Sequence, residues 1–564
     1  MSNNFSKQLW QCWNRVAPTI TLLSIVFAFV WLLTACENTG EPIEQNYTVP
    51  SWTLYQQALQ SGQSVSEACA LLVSKDFPYN INTTINGDPT TQIGVAWFTN
   101  ADVTGSVVQI VEWKENTFST FSRAREIPAV CAAVDTVNYV SIGNKNDELV
   151  AATGFAKGEK RSYTSNKALI DHLKPNTTYS YRVGKKRTHW WQLWEKHSWS
   201  KTGNFTTAKT NKDAFEFIYV TDTQANTNEM FDISKKTIET AYRQTPDAKF
   251  LLITGDLVES SDLQSSEWEW EQWFEKMQNV CLYLPVVPAQ GNHDISSFGN
   301  MFHHFNTDNS YNEQQTGDEA KTAMGGTVYS FVYGDALFMV VNYEDYRKGE
   351  PYFSALEQWM RKQISENQGA KWKIAAFHKT MFTGSSAHQD DADGKIIRER
   401  MAYVFYDLNI DLALQGHDHI YEVIGVLTVE KTENGIRYAV LPNTVNGQKT
   451  VEPTFTDGTV NGNPSVSVTG KEGGTYNVSN GTVFFLNNSA GKKKYYPRSQ
   501  EQMEAAIPQH GVQNYFEMFN KFGQTGEPTF SRVKISSSVI EIDTYTVNDS
   551  GDAALFDTFK IIKK

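Results

Sequence analysis

A chain of 564 residues is too long for one ordinary domain, and its 40% hydrophobic and 13% aromatic content can fill more than one large core. A formal net charge of −13 argues against nucleic acid as the main partner. The five cysteines lie far apart without a CxxC pair, which gives neither a disulfide framework nor a zinc–sulfur site and leaves a single Cys69–Cys131 bridge open.

The chain starts with Lys7 and Arg15 and then carries no charged residue from Val16 to Ala35, with an apolar centre over Ile20–Leu33. A basic start, an apolar centre and small residues before a cleavage point read as a secretory signal over residues 1–36. Its end, Leu33-Thr34-Ala35-Cys36, resembles the lipobox of bacterial lipoproteins. That resemblance implies a lipid anchor on Cys36 and an extracytoplasmic, membrane-anchored protein at the cell surface or periplasmic face; an uncleaved membrane anchor is the alternative. Residues 37–77 read as a tether with a candidate helix over Trp52–Lys75.

From 78 to 209 the pattern changes to short alternating strands. Thr91–Phe98, Val107–Trp113, the stretch from His172 to Gly184 and Trp199–Thr207 predict an all-β sandwich. From 213 onward apolar strands alternate with candidate helices over Ser234–Arg243, Glu267–Gln278, Tyr352–Gln363 and Lys395–Tyr406, an α/β signature. After Tyr421 the helices are expected to stop. Gly, Asn and Thr crowd an insertion near 430–481, and strands at Gly481–Leu486, Ser538–Tyr545 and Ala554–Ile562 close the chain.

Five apolar runs each end in a metal-type ligand. Phe215–Thr221 runs into Asp222, Phe250–Gly255 into Asp256, Leu284–Gly291 into Asn292, Trp372–Phe377 into His378, and Leu412–Gly416 into His417 and His419. Buried strands read this way, and in α/β folds sites gather where strands end. One carboxylate after a strand means little; five such ends suited to one pair of metals form a constellation.

In order, Asp222-Thr223-Gln224, Gly255-Asp256, Gly291-Asn292-His293-Asp294, His378 and Gly416-His417-Asp418-His419 match the motif set of the calcineurin-like metallophosphoesterases. The front module, with Leu173–Tyr179 and Tyr181–Gly184, resembles the fibronectin type III-like domain of purple acid phosphatases. The resemblance implies a four-layer α/β/β/α double sandwich over 213–564, preceded by the fibronectin III-like sandwich at 78–209. It implies that Asp256 bridges two metals, that Asp222 and His419 hold the first, and that Asn292, His378 and His417 hold the second. Mixed nitrogen and oxygen ligation suits two divalent or trivalent ions among Mn, Zn, Fe and Co. His293 would be the general acid or an electrostatic helper for the leaving oxygen, with Asp294 orienting it; His388 would contact substrate, and Gln224 would contact substrate, coordinate a metal or bond a metal-bound water.

Two positions depart from the purple branch. Glu259 stands where that branch has its chromophoric tyrosine, so no purple colour or strict ferric site is expected. Gln224 replaces the histidine of the wider superfamily and the glycine of the purple branch. The implied activity is hydrolysis of phosphate monoesters by attack of a metal-bound hydroxide. The alternatives are a phosphodiesterase acting on nucleotides or wall polymers, or a non-catalytic surface-binding protein with a structural metal site.

Overall fold

The computed structural model describes residues 78–100, 105–113, 120–137, 160–185, 199–259, 267–294, 300–307, 326–433, 435–440 and 474–563, with two short strand pairs between 444 and 467. The signal expected over 1–36 with Cys36, the tether expected over 37–77 with Cys69, and much of the insertion expected near 430–481 lie outside the described residues.

Two large sheets carry the fold. Among the described residues the first has eleven strands, and at its heart Phe215–Val220, Ala248–Ile253 and Val286–Pro288 run parallel. The second has eight, with Ala336–Val340, Trp372–Ala376, Leu412–Gln415 and Thr482–Asn487 parallel. Strand side chains alternate between faces, so each strand serves two cores. Phe217, Tyr219, Phe250 and Leu252 meet Phe338, Ile374, Leu412 and Phe485 between the sheets. The alternate residues Ile218, Val220, Leu251 and Ile253 pack under the helices Asn228–Gln244 and Glu267–Cys281. On the far side Leu337, Met339, Ala375 and Ala413 pack under Glu350–Glu366 and Ala392–Asp407. The order is helix, sheet, sheet, helix. Burial on both faces explains why these strands are unbroken apolar runs.

The four candidate helices of the α/β region form, each longer than its periodic core. The first gains its extra turn from Thr227, whose side chain caps the Met230 amide. The strand expected over Leu284–Gly291 shrinks to Val286–Pro288, because Pro285 and Pro288 have no amide to give the ladder. Helices do not end at Tyr421: Gln500–Ala505, with a capping box at Ser499, and Ile507–His510 follow, too short to show a period.

The front module is a sandwich whose core joins Val95 and Trp97 to Val108, Tyr181 and Val183. One of its sheets is the continuation of the eleven-stranded sheet. Strand Tyr79–Thr84 lies parallel to Val286–Pro288, with Thr84 opposite Val286. The Gln278 side chain bonds both the amide (3.1 Å) and the carbonyl (2.8 Å) of Ile81, and Leu282 enters the sandwich core.

Candidate metal centre

The parallel strands of both sheets end at one edge, where the chain must turn sharply to leave them. Asp222 (φ 53°), Asp256 (φ 51°) and His417 (φ 75°) all take the left-handed conformation. Such backbone costs on the order of 1 kcal/mol or more per residue and persists where surrounding contacts impose it. Thr221 Oγ1 bonds the Asp222 carboxylate (2.6 Å), which also accepts the His417 amide at 3.1–3.2 Å. Gly291 lets the third turn close on the second: a Cβ there would lie 2.2 Å from Asp256 Oδ1.

His378 sits at the centre. Its Nδ1 donates to the Thr254 carbonyl (2.8 Å), which fixes the ring and turns Nε2 inward. Around Nε2 stand Asn292 Oδ1 at 3.0 Å, Asp256 Oδ2 at 3.2 Å and His417 Nδ1 at 3.2 Å. Ligand atoms of Asp256, His378 and His417 all lie within 4.8 Å of one another. Bonds of about 2.1 Å in a tetrahedron put ligand atoms about 3.4 Å apart, close to this spacing. A neutral His378 would aim a lone pair at two oxygens and a nitrogen, so the arrangement needs a cation or a proton at its middle. Burial opposes a charge on His378, yet Asp256, with Asp222 and Glu344 beyond it, pushes the imidazole up to about 10. Burial likewise opposes a charge on Asp256, but His378 and His293 more than offset it and hold the carboxyl well below its usual range.

On the other side His419 Nε2 lies 3.3 Å from Asp222 Oδ1, and its ring stacks on Tyr495 at 4.3 Å. His417 Nε2 and His419 Nδ1 are buried without a partner among the described residues. Two carboxylates, an amide oxygen and three imidazoles fit nitrogen- and oxygen-ligated metal ions.

The structure therefore brings Asp222, Asp256, Asn292, His378, His417 and His419 to one place. His293 borders it. Its Nδ1 donates to the Glu259 carbonyl at 2.5 Å, which leaves Nε2 facing the centre, 4.0 Å from Asp256 Oδ2. His388 also borders it, its ring stacked on His417 at 4.0 Å and Nδ1 held by Asp391 at 2.7 Å. Asp294 does not have the orienting role expected of it. Its buried carboxylate accepts the backbone amides of Leu257 (2.8 Å), Val258 (3.4 Å) and Gly291 (2.9 Å), and so clamps two ligand-bearing turns together. Burial and the charge of Asp256 raise its pKa. Gln224 is buried beneath the site, bonded to Glu259 rather than opening on the substrate side.

Sequence reasoning missed Tyr495, Lys493, Lys379 and Glu344. Lys379 directly follows His378 and pairs with Asp393 (2.6 Å) and Glu344 (3.6 Å); its adjacency to His378 was the available signal. Burial raises Glu344 to about 7. Tyr495 and Lys493 reach the site from the loop after Thr482–Asn487, which no local motif marks.

Comparison with known proteins agrees with this geometry. The calcineurin-like phosphoesterase family model matches residues 215–421, and that of the purple acid phosphatase N-terminal domain matches 78–207. Probable purple acid phosphatase 20 of Arabidopsis thaliana is 26% identical over 264 residues, 46% of this chain and 56% of that protein. Purple acid phosphatase 23 of the same plant is 23% identical over 381 residues, 62% of this chain and 75% of that protein. The chain thus spans about half the length of the first relative. A purple acid phosphatase from yellow lupin (Lupinus luteus) seeds shares the fold with a TM-score of 0.57 at 14% identity, covering 87% of this chain and 75% of that one. The sandwich, the double-sheet core and the ligand-bearing edge belong together: the chain carries a purple acid phosphatase N-terminal domain over 78–207 followed by a calcineurin-like phosphoesterase domain over 215–421.

Proposed function

We propose that this chain is an extracytoplasmic, lipid-anchored phosphoesterase that hydrolyses phosphate monoesters with two metal ions. The observation that carries the reading is the convergence of Asp256, Asn292 and His417 on His378 Nε2, with Asp222 and His419 alongside. Two ions bound there would supply a Lewis-acid clamp and a nucleophile at neutral pH. The chain's own residues do the rest. Thr254 and Thr221 hold the ligands in register. His293, its Nδ1 proton committed to Glu259, exchanges a proton through Nε2 with the leaving oxygen.

His388 favours a monoester. Burial lowers its pKa, but the bond to Asp391 and the charge of Asp418 more than offset this and raise it. A histidine beside the metal ligands whose protonated form is favoured suits the two charges of a terminal phosphate better than the single charge of a diester. The relatives named purple acid phosphatases support the same choice.

The test is hydrolysis of an aryl phosphate monoester and the matching diester by protein reconstituted in turn with Mn, Zn and Fe, with Asp256→Asn as control. Monoester turnover lost in the variant is expected. Diester preference overturns the substrate assignment, and two bound ions without turnover overturn the enzymatic reading. For the anchor, Cys36→Ser should move the protein from the membrane to the soluble extracytoplasmic fraction; unchanged membrane association refutes lipidation.

A further inference from the structure

The front module's other sheet is not shared with the catalytic half. Its strands Ser106–Glu112, Arg125–Pro128, Thr178–Lys185 and Gly203–Thr206 turn Val108, Ile110, Tyr181 and Val183 into the sandwich core. Side chains alternate along a strand, so Gln109 and Arg182 stand on the outer face. They lie opposite each other in register, with Glu126 opposite Gln109 on the next strand. A row of hydrogen bonds joins the three. Arg182 Nε donates to Gln109 Oε1 (2.8 Å), and Gln109 Nε2 donates to Glu126 Oε1 (2.9 Å).

The half-buried Arg182 guanidinium also packs over the Phe121 and Trp199 rings, its central carbon 4.3 and 4.5 Å from their centroids. Two rings and the Nε bond hold the group in place. Its terminal nitrogens Nη1 and Nη2 nevertheless make no hydrogen bond or ion pair among the described residues. Burial alone pushes the guanidinium down to about 10, with no neighbouring charge to offset it. A desolvated, immobilised cation with an open fork is pre-organised for an oxyanion. Further along the face come Ser180, paired with Asn204 (2.7 Å), and Thr178, paired with Thr206 (2.8 Å). Beyond them Trp113 gives its backbone amide to the Thr178 carbonyl (2.8 Å) and is 48% exposed. It lies four residues from Gln109, about 13 Å along the strand.

Hydroxyls and an amide between a cation and an exposed indole suit a short chain of sugar rings. Sugar hydroxyls can bond the polar pairs, and the C–H face of a ring can stack on the indole. One unpaired cation matches the single charge of a carboxylate. Glu126 and the chain's net charge of −13 oppose a denser polyanion. We propose that this outer face binds an acidic oligosaccharide, with a sugar carboxylate on the Arg182 fork and a further ring on Trp113. The face is separate from the metal centre and does not depend on the two-metal reading.

The experiment titrates detergent-solubilised full-length protein with trigalacturonate and with its methyl ester, reading the heat of binding. Wild type is expected to bind the acid saturably and the ester about tenfold more weakly, because the ester cannot take the charged fork. Arg182→Lys keeps the charge but loses the fork, and should weaken the acid about tenfold. Trp113→Ala should weaken it as well, and Asp256→Asn should bind it as wild type does. No saturable binding by wild type, equal affinity for acid and ester, or unchanged affinity in Arg182→Lys overturns the proposal. Should Arg182→Lys fail to give a normal thermal melt, unchanged affinity in the surface variant Trp113→Ala overturns it equally. Loss of binding in Asp256→Asn would place the sugar at the metal centre and refute the outer face. Displacement of trigalacturonate by polyphosphate at equal affinity would show general attraction of anions and refute the carboxylate.

Discussion

Proton and metal compete for the same lone pair at His378. In the metal-free site its Nε2 faces Asp256 at 3.2 Å and Asn292 at 3.0 Å, and the imidazole titrates at about 10. Between pH 6 and 8 it is therefore protonated, and an entering ion must expel that proton. One proton per ion makes affinity at this position rise about tenfold per pH unit, or about 100-fold from pH 6 to 8, on the order of 2.7 kcal/mol. The rise should flatten only near pH 10. Stability without metal runs the opposite way. A histidine whose folded pKa is raised contributes fully below its unfolded value of about 6.5 and loses that contribution as pH climbs towards 10. Metal-free protein should thus melt at progressively lower temperature across that window, whereas loaded protein should not follow it. Isothermal titration at pH 7 in buffers of different ionisation heat reads the proton directly, with about one released per ion at this position. An affinity that does not change with pH, or no proton release, refutes the reasoning.

Other expectations follow from contacts already described. Gly291→Ala would press a methyl group 2.2 Å from Asp256 Oδ1 and 2.3 Å from the Asp256 amide, so Asp256 should be displaced and bound metal, measured by elemental analysis, should fall below that of the wild type. His293→Ala should slow hydrolysis by about 10²–10⁴, and more for an alkyl phosphate than for a nitrophenyl phosphate, whose leaving group needs no proton; equal losses would rule out a general acid. Asp557 holds Lys521 at 2.5–2.6 Å and the Tyr421 hydroxyl at 2.7 Å in the buried layer beside the second sheet. Asp557→Ala should therefore cost about 3–5 kcal/mol in urea unfolding, with little change in metal content.

What could be read from the chain follows from how each feature is encoded. Strands such as Phe250–Ile253 are buried on both faces and so appear as unbroken apolar runs, and the polar residues that end them stand out. The core helices announce themselves by periodicity, whereas Gln500–Ala505 is shorter than two turns and could not. Asp294 was legible as part of Gly291–Asp294 but not in its bonding, because its partners are backbone amides that any sequence offers. Tyr495 and Lys493 were hidden for another reason. They reach the ligands through tertiary packing of a loop that begins only after Thr482–Asn487 is paired beside Leu412–Gln415. The departure at Glu259 was visible as a substitution, while its engagement with Gln224 and Lys493 required the fold.

The shared eleven-stranded sheet bears on how this architecture can be cut or recombined. A fragment beginning at residue 213 would strip Tyr79–Thr84 from Val286–Pro288 and bare a parallel ladder edge, the kind of surface that recruits foreign strands. It would also leave the Gln278 amide and the Asn306 carbonyl without Ile81, Thr84 and Asn86. The bared edge is the strand that leads into the Gly291–Asp294 turn, so damage there reaches the ligands within a few residues. The front module is thus no interchangeable cassette. The two halves share one sheet and should unfold together.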